Sequence, residues 1–365
     1  MSPPSPPERV LIVRLSHLGD IAQALPLLHG LRARWPSARF GWAIQPEFAP
    51  LVAPLATVLP FDRRGGLGAW WSFRAAARRF APDLVVDAQG NWKSAVASAL
   101  ASRGPRACRR VSFAAAHWQE PLAARLLRPE LAPAATSHHL VDRALGLVRH
   151  LTGAEPEARL DPDLSEAERA EGEALLGDPA PAPTVVLHPG VPGDPRTWPE
   201  ASYRALGARL LEQDVRVVVL TGPGEASTGE ALRRDLPGAT HLVDQRGLRT
   251  LAATLDAAAR RGSCLVAGDS GPAHVAAAVN LPVVLLAGPE DPARTGPWPQ
   301  SGSDAGGSDA GGSDAGRPRG GSSRWGSSPV HRVPGAPWTR RPVSEVRVED
   351  ALAAALELVT PSRSR

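Results

Sequence analysis

The sequence has few cysteines and no long apolar run, and each scarcity excludes a class of protein. Cys108 and Cys264 are the only cysteines among 365 residues, and they lie too far apart for a metal-binding motif. Such spacing predicts free thiols in a reducing compartment rather than a disulfide scaffold. No apolar run approaches the roughly 20 residues that span a bilayer, and the start, MSPPSPPERVLIV, lacks a signal-peptide pattern. We therefore expect a cytoplasmic protein that is soluble or attached only to a membrane surface.

Several nucleotide and metal motifs are also missing. Neither half has G-x-G-x-x-G after its first apolar run, and no Walker P-loop occurs, which argues against a dinucleotide oxidoreductase or a kinase. The single D-x-D is Asp161-Pro162-Asp163, in a proline-broken acidic stretch that we interpret as part of a connection. We therefore expect no metal site and no cofactor. Basic and aromatic residues are not interleaved in the pattern that would indicate nucleic-acid binding, so we expect no nucleic-acid partner.

Positive charge is concentrated in the first part of the chain. Residues 1–150 carry 19 Lys or Arg and 9 Asp or Glu, whereas the whole chain has a net charge of only +4. Lys93 is the only lysine, so the positive groups are almost all guanidinium. This asymmetry indicates an anionic partner such as phosphate or a membrane surface, or else simply a solvated basic face.

Short apolar runs alternate with amphipathic stretches in two parts of the chain. The first part predicts a helix at 21–35 and strands at 10–15, 40–44 and 84–86. The second predicts helices at 200–213 and from 273 onward, and strands at 184–187, 215–220, 264–267 and 282–286. This alternation indicates βα units and therefore two doubly wound α/β domains with parallel sheets.

The predicted domains are separated by a proline-rich stretch. We assign residues 1–175 to the first Rossmann-like domain, 176–183 to a linker and 184–345 to the second domain, with a final amphipathic helix at 346–359. The repeat SGSDAGGSDAGGSDAG at 301–316 offers nothing to a core. It predicts a disordered, low-complexity insertion at 301–328 without a catalytic role.

Polar loops at the ends of the predicted strands carry the candidate site residues. Asp20 closes the first loop and opens a helix, which is typical of an N-cap or first-turn aspartate. Arg196 either pairs with a diphosphate or is a surface arginine. Glu225 either accepts hydrogen bonds from ribose hydroxyls or is an exposed acid. The run Asp269-Ser270-Gly271-Pro272-Ala273-His274 combines a hydroxyl, a glycine and a helix start, which is typical of a phosphate site or of an ordinary capped helix.

Four segments in order resemble glycosyltransferase family 9, the ADP-heptose:lipopolysaccharide heptosyltransferases. They are VLIVRLSHLGDIAQALPLLHGLRARWP, DLVVDAQGNWKSA, VVLHPGVPGDPRTWPEASY and VAGDSGPAHVAAAVNLPVVLLAGPEDPARTGP. The segments QEPLA and GWAIQPEFAPL are most similar to the first heptosyltransferase type. The resemblance implies a GT-B fold, in which two Rossmann-like parallel-sheet domains face a central cleft.

The resemblance also implies a role for individual residues. It makes Asp20 the catalytic base, and it places the donor nucleotide diphosphate against Gly190, Arg196, Glu225, Asp269, Ser270, Gly271 and His274. We assign acceptor binding to Ser16, Gly19, Arg63, Arg64, Lys93 and Gln119. The implied reaction is inverting, metal-independent transfer of heptose from ADP-heptose to the Kdo-containing inner core of a lipopolysaccharide precursor.

The departures from the family pattern keep alternatives open. Arg196 replaces a lysine, Ser270 replaces a threonine, and Gln119 stands where the first type has arginine. The protein is then a heptosyltransferase, a related enzyme with another sugar nucleotide or glycolipid acceptor, or a non-catalytic sugar-nucleotide-binding module. A predicted helix with Arg74 and Arg78 on one face fits peripheral binding to the anionic cytoplasmic face of the inner membrane.

Overall fold

The structure, a computed structural model, describes residues 6–62, 64–103, 107–134, 138–178, 182–243, 247–298, 330–333 and 340–359. Contacts between Cα atoms divide the chain into two units. The first contains residues 1–165 and 247–249, and the second contains 166–246 and 250–365. Each unit is an α/β domain with its own parallel sheet, as the sequence predicted.

The sheet of the first unit has six parallel strands within the described residues, in the order β3-β2-β1-β4-β5-β6. They are β1 (Arg9–Val13), β2 (Arg39–Ile44), β3 (Thr57–Pro60), β4 (Leu84–Asp87), β5 (Arg109–Ser112) and β6 (Glu130–Leu131). This is a doubly wound order, and its topological switch point lies between β1 and β4. The runs VLIV and LVVD are fully buried because helices cover both faces of the sheet.

Helices cover the two faces of this sheet in separate layers. They are α1 (Leu18–Arg34), α2 (Ala49–Val52), α3 (Gly66–Phe80), α4 (Trp92–Ala101), α5 (Pro121–Leu127) and α6 (Leu140–Thr152). Helix α1 packs against α6, whereas α3 packs against α4 and α4 against α5. One core lies between α1, α6 and the sheet, and a second core is formed by residues of β1, α3 and α4.

The second unit repeats the same topology. Its described strands are β7 (Thr184–His188), β8 (Arg216–Thr221), β9 (Thr240–Val243), β10 (Cys264–Gly268), β11 (Val283–Leu286) and β12 (Val330–Val333). They are parallel and run in the order β12-β11-β10-β7-β8-β9, so the switch point lies between β7 and β10. Both switch points therefore follow the first and fourth strands of their unit.

The remaining helices are α7 (Glu166–Leu176), α8 (Glu200–Leu211), α9 (Ala226–Asp235), α10 (Leu248–Arg260), α11 (Gly271–Ala278), α12 (Pro292–Thr295) and α13 (Val348–Val359). Helix α13 packs against α8 and β10. Its residues Ala351, Ala355 and Val359 belong to the same buried core as Val185 and Val217. The C-terminal helix is thus part of the second unit, not an appendage to it.

The division between the units differs from the predicted boundary. The prediction ended the first domain at 175, but the second unit begins at Glu166 with helix α7. Gly172 explains this, because a Cβ there would clash with Ala253 O in α10, so the two helices pack backbone to backbone. The predicted insertion at 301–328 lies outside the described residues.

Both cysteines are free thiols, as expected. Burial raises the pKa of Cys264 to about 12, and burial is also the largest cause that raises the pKa of Cys108 to about 11. Of the helices that the structure describes, none is long and apolar enough to cross a bilayer.

Candidate functional site

The switch point of the first unit brings together the loops that follow β1 and β4. Val13 and Asp87 are register partners at the carboxyl ends of these strands. Beyond them, Arg14 Nη1 donates to Ala88 O at 2.7 Å and Leu15 N donates to Gln89 Oε1 at 2.8 Å. These two hydrogen bonds fix the β1 loop, which leads into α1, against the β4 loop.

Asp20 lies in the first turn of α1 and is paired with a buried arginine. Its Oδ2 accepts from Arg14 Nη2 at 2.6 Å and from the backbone N–H of His17 at 3.2 Å. The Arg14 side chain is only 5% exposed, whereas that of Asp20 is 29% exposed. Asp20 therefore takes part in capping its helix and also presents an oriented carboxylate to solvent, so the capping role is compatible with the base role that the resemblance implies.

A second carboxylate lies deeper at the same switch point. Asp87 is 2% exposed, and its Oδ1 accepts from the backbone N–H groups of Gln89 at 2.9 Å and Gly90 at 3.1 Å. Burial raises the pKa of Asp87 to about 6, although these hydrogen bonds and the nearby Arg14 offset part of the effect. Arg14 thus pairs with the partly exposed carboxylate of Asp20 and also acts electrostatically on the buried carboxyl of Asp87.

The N-terminus of α4 forms the next part of this edge. Asn91 caps the helix, with Asn91 Oδ1 accepting from Ser94 N at 3.0 Å. Lys93 is exposed in the first turn, and Gln119 is exposed just before α5. Gln119 N donates to Gly90 O at 3.0 Å, so the structure brings the two predicted acceptor residues to neighbouring loops.

The other predicted acceptor residues lie along the same edge of the sheet. Ser16 and Gly19 are buried in the β1 loop and the start of α1. Arg64 is exposed between β3 and α3, and its N–H donates to Asp62 Oδ1 at 2.8 Å. Arg63 lies outside the described residues.

The switch point of the second unit is built around a close backbone approach. A Cβ on Gly268, at the end of β10, would clash with Arg196 O, so only glycine lets the β7 loop approach there. Trp198 fastens the other end of this loop, because its ring is fully buried and its Nε1 donates to Val346 O at 3.0 Å. The β7 loop therefore lies directly against the start of the Asp269–Gly271 run.

Ser270 and the first turn of α11 have the geometry of an anion site. Ser270 is the N-cap residue, and its Oγ is buried without a hydrogen-bond partner in the part of the chain that the structure describes. Gly271 begins α11, whose first-turn N–H groups and positive dipole end favour a phosphate. Asp269 is fixed beside them, since its Oδ1 lies 3.1 Å from His274 Nε2.

Arg196 is held next to this cradle by an acidic neighbour. Its Nε and Nη2 donate to the two carboxylate oxygens of Asp194 at 3.0 and 2.6 Å. These hydrogen bonds raise the pKa of Arg196, and the charges of Asp269 and Glu290 add to the effect. The Arg196 side chain is 47% exposed, so it is accessible to a ligand as well as to Asp194.

Gly190 and Glu225 complete the predicted donor set. Gly190 has φ +76°, in the left-handed region, and starts the turn of the β7 loop. Glu225 is only 6% exposed, so it is not the exposed acid that was one reading of the sequence. Its Oε2 accepts from Gly222 N at 2.7 Å, and its Oε1 lies 3.4 Å from His188 Nε2. The pair connects the β8 loop to the end of β7.

Asp161-Pro162-Asp163 is a structural feature of the connection. Asp161 pairs with Arg159 at 3.0 Å, and Arg249 donates to the carbonyl oxygens of Pro162 and Asp163 at 2.7 and 2.9 Å. Across the residues that the structure describes, no group of three or more His, Cys, Asp or Glu side chains is arranged to hold a metal ion.

Comparison with known proteins identifies the family. The profile of glycosyltransferase family 9 (heptosyltransferase) matches residues 70–309. Lipopolysaccharide heptosyltransferase 1 of Pseudomonas aeruginosa is 32% identical over 80% of this chain and 82% of its own length. The enzyme of the same name from Escherichia coli K12 is 28% identical over 79% of this chain and 90% of its own length. The chain belongs to glycosyltransferase family 9.

Solved structures agree in fold with this family 9 glycosyltransferase. E. coli heptosyltransferase WaaC with ADP has a TM-score of 0.69 at 22% identity and covers 96% of this chain and 99% of its own. The family 9 glycosyltransferase of Veillonella parvula has a TM-score of 0.75 at 16% identity and covers 97% and 98%. The predicted GT-B class, with two parallel-sheet α/β domains, is thereby confirmed.

Sequence reasoning missed three side chains of these switch points. Arg14 immediately follows strand β1, and His188 ends strand β7. Ligand-site residues are expected at these positions in such sheets. Asp87 is the last residue of the apolar run LVVD, which is buried. An aspartate at the end of such a run indicates a buried carboxyl group. The contacts of Arg14 with Ala88 and of His188 with Glu225 could not be read from the sequence, because each joins loops that are distant along the chain.

Proposed function

We propose that the protein transfers heptose from ADP-heptose to the Kdo-containing inner core of a lipopolysaccharide precursor, with inversion and without a divalent metal. The similarity to two lipopolysaccharide heptosyltransferases 1 over most of both chains supports the sugar and the acceptor class. The observation that carries the chemistry is the pair of switch points, with an oriented carboxylate in one unit and an anion cradle in the other.

In this proposal an acceptor hydroxyl attacks the anomeric carbon as the bond from that carbon to the diphosphate oxygen breaks. Asp20 takes the hydroxyl proton as the new bond forms. The diphosphate leaves with the bonding electron pair and gains negative charge. Attack from the side opposite the leaving group inverts the anomeric centre.

The second unit supplies the positive field for the leaving group. Arg196 gives a bidentate guanidinium, Ser270 gives a hydroxyl donor, and the first turn of α11 gives backbone N–H groups. Because these groups stabilise the negative charge that develops on the diphosphate, the proposed reaction needs no metal. The structurally similar E. coli heptosyltransferase WaaC was solved with ADP. In this protein we assign ADP to the second unit.

We place the acceptor on the first unit, against Lys93, Gln119 and Arg64. The Kdo carboxylates and lipid phosphates of such an acceptor match basic side chains. The acceptor is anchored in a membrane, so we expect the enzyme to act at the cytoplasmic face of the inner membrane as a peripheral protein.

The test is a transfer assay read by mass spectrometry. Purified protein with ADP-heptose and a Kdo-bearing lipid A precursor should add one heptose, in the presence or absence of EDTA. UDP-glucose and GDP-mannose should give no product. Transfer from one of those donors but not from ADP-heptose would contradict the donor, and activity that EDTA abolishes and magnesium restores would contradict the metal-free mechanism.

A further inference from the structure

Helices α3, α4 and α5 form one layer of the first unit with an unusual composition. The three helices contain no Asp or Glu, and their basic residues are Arg74, Arg78, Arg79, Lys93 and Arg125. We call the solvent side of this layer the α3–α5 face. An exposed acid, Glu120, borders this layer as the N-cap residue of α5, and its Oε2 accepts from Trp92 N at 2.6 Å. The basic residues outnumber it, and a surface with such an excess of positive charge attracts anions.

Helix α3 presents large apolar side chains to solvent on this face. Leu67 is 80% exposed and Trp71 is 70% exposed, and their spacing of four residues puts them on one side of the helix. Phe73 and Ala77, on the other side, are fully buried. Because Arg74 and Arg78 follow Trp71 by three and seven residues, they continue the exposed stripe.

The same combination recurs on the neighbouring helices. On α5, Leu122 is 57% exposed and Leu126 is 62% exposed, again four residues apart, with the exposed Arg125 between them. Trp92, at the start of α4, is 36% exposed. Among the described residues, seven large hydrophobic side chains are exposed, and five of them lie on these three helices.

The concentration of apolar and basic groups identifies the partner. Exposed apolar side chains grouped on one surface mark an interaction site. Leucine and tryptophan enter the boundary between headgroups and acyl chains, while adjacent arginines pair with anionic headgroups. A protein partner would have to be acidic and apolar at once, whereas an anionic leaflet offers both properties on a flat surface.

We propose that the α3–α5 face docks onto an anionic lipid leaflet, with Leu67, Trp71, Leu122 and Leu126 entering the interface. The proposal rests on the proposed function only in giving the enzyme a reason to be at a membrane. Lipid binding itself requires neither donor nor acceptor, so it is measured independently of catalysis.

The test is co-sedimentation of the full chain with vesicles of phosphatidylethanolamine and phosphatidylglycerol. The double variant Leu67→Gln with Trp71→Gln should bind at least about tenfold more weakly, because burial of each side chain accounts for about a factor of ten. Leu122→Gln with Leu126→Gln should have a similar effect. Arg74→Gln with Arg78→Gln should reduce the salt-sensitive part of binding, since screening acts over about 8–10 Å.

Val191→Gln is the matched control, because Val191 is 50% exposed but lies in the second unit. It should bind these vesicles as the wild type does, and the Leu67/Trp71 variant should keep its melting temperature and its affinity for ADP. Normal vesicle binding by both apolar double variants would overturn the proposal. So would a wild type that ignores the vesicles, or an apolar variant that changes only the oligomeric state. If vesicle binding behaves as expected but no heptose is transferred, the proposed function fails and the docking face stands.

Discussion

The two switch points share one topology but carry opposite chemistry. In the first unit, Arg14 is buried and used internally, where it orients the carboxylate of Asp20. In the second unit, Arg196 is half exposed and Ser270 Oγ has no protein partner among the described residues, so both are available to an anion. In the proposed mechanism the strand order sets where each ligand is expected, and the difference in burial between Arg14 and Arg196 distinguishes the site assigned to the base from the site assigned to the diphosphate.

Removing the carboxylate of the first switch point should have the largest effect. Asp20→Asn keeps the size but eliminates the proton acceptor, so we expect kcat to fall by roughly 10²–10⁴-fold. Steady-state kinetics with saturating donor measures this. A variant with near-normal turnover would remove Asp20 from the mechanism and with it the contrast between the units.

Arg14 should matter for stability as well as rate. Arg14→Met leaves the carboxylates of Asp20 and Asp87 without their cation, and breaking a buried pair lowers the free energy of unfolding by about 3 kcal/mol. Breaking a buried pair costs about 3–5 kcal/mol, and we expect the lower value because Asp20 is partly exposed. Urea denaturation measures it, and Arg14→Lys is the control that should recover part of the loss. Unchanged stability of the methionine variant would mean that the internal network is not structural.

Asp87 predicts a pH dependence confined to the first unit. Its folded pKa of about 6 exceeds the ordinary value of 3.8 for an aspartate, so the folded state binds the proton more tightly and wild-type stability falls as pH rises through this window. Asp87→Asn cannot ionise. Its stability relative to wild type should therefore increase by up to about 3 kcal/mol between about pH 4 and pH 8. Urea midpoints across that range test it, and a pH-independent difference would show that Asp87 is not desolvated.

Ser270 should give the smallest effect and the cleanest contrast with Arg14. Ser270→Ala removes a hydroxyl with no protein hydrogen bond among the described residues, so the free energy of unfolding should be nearly unchanged. ADP binding should weaken by about 0.5–1.5 kcal/mol, the net contribution of a typical hydrogen bond. Calorimetric titration and urea denaturation of the same preparation distinguish the two. A loss of stability with intact ADP affinity would assign the hydroxyl to the fold.

The sequence was sufficient for seven of the described strands and for both switch-point loops, but it did not predict the short strands β3, β5, β6, β9 and β12. Buried runs such as VLIV and LVVD end in glycine-containing polar loops, and that pattern is local. The unit to which α7 belongs could not be predicted from local sequence. The proline-rich stretch after the helix suggested a boundary there, but the contact of Gly172 with α10 joins α7 to the second unit. The role of Arg14 was likewise hidden, because one arginine among many is distinguished only by burial between two loops.

The sequence predicted the basic residues of the exposed stripe on α3 but not its apolar residues. The spacing of Arg74 and Arg78 predicted a basic face, and the structure places Leu67 and Trp71 on the same face. Their exposure could not be read from the sequence, because Trp70 and Phe73 belong to the same apolar cluster and pack inward against Phe61. Which apolar side chain faces solvent depends on where the sheet lies.

The proposal assigns the catalytic base to the first unit and the donor diphosphate to the second. Parallel measurement of ADP affinity for Asp20→Asn and Arg196→Ala tests this assignment most directly. Calorimetric titration should give wild-type affinity for Asp20→Asn, because its carboxylate is assigned to the acceptor. Arg196→Ala should bind ADP about 1.5–3 kcal/mol more weakly, since it loses a charge-assisted contact to the diphosphate. Arg204→Ala is the control, because Arg204 pairs with Asp235 instead. Normal ADP affinity in Arg196→Ala, together with a loss in Asp20→Asn, would contradict the account.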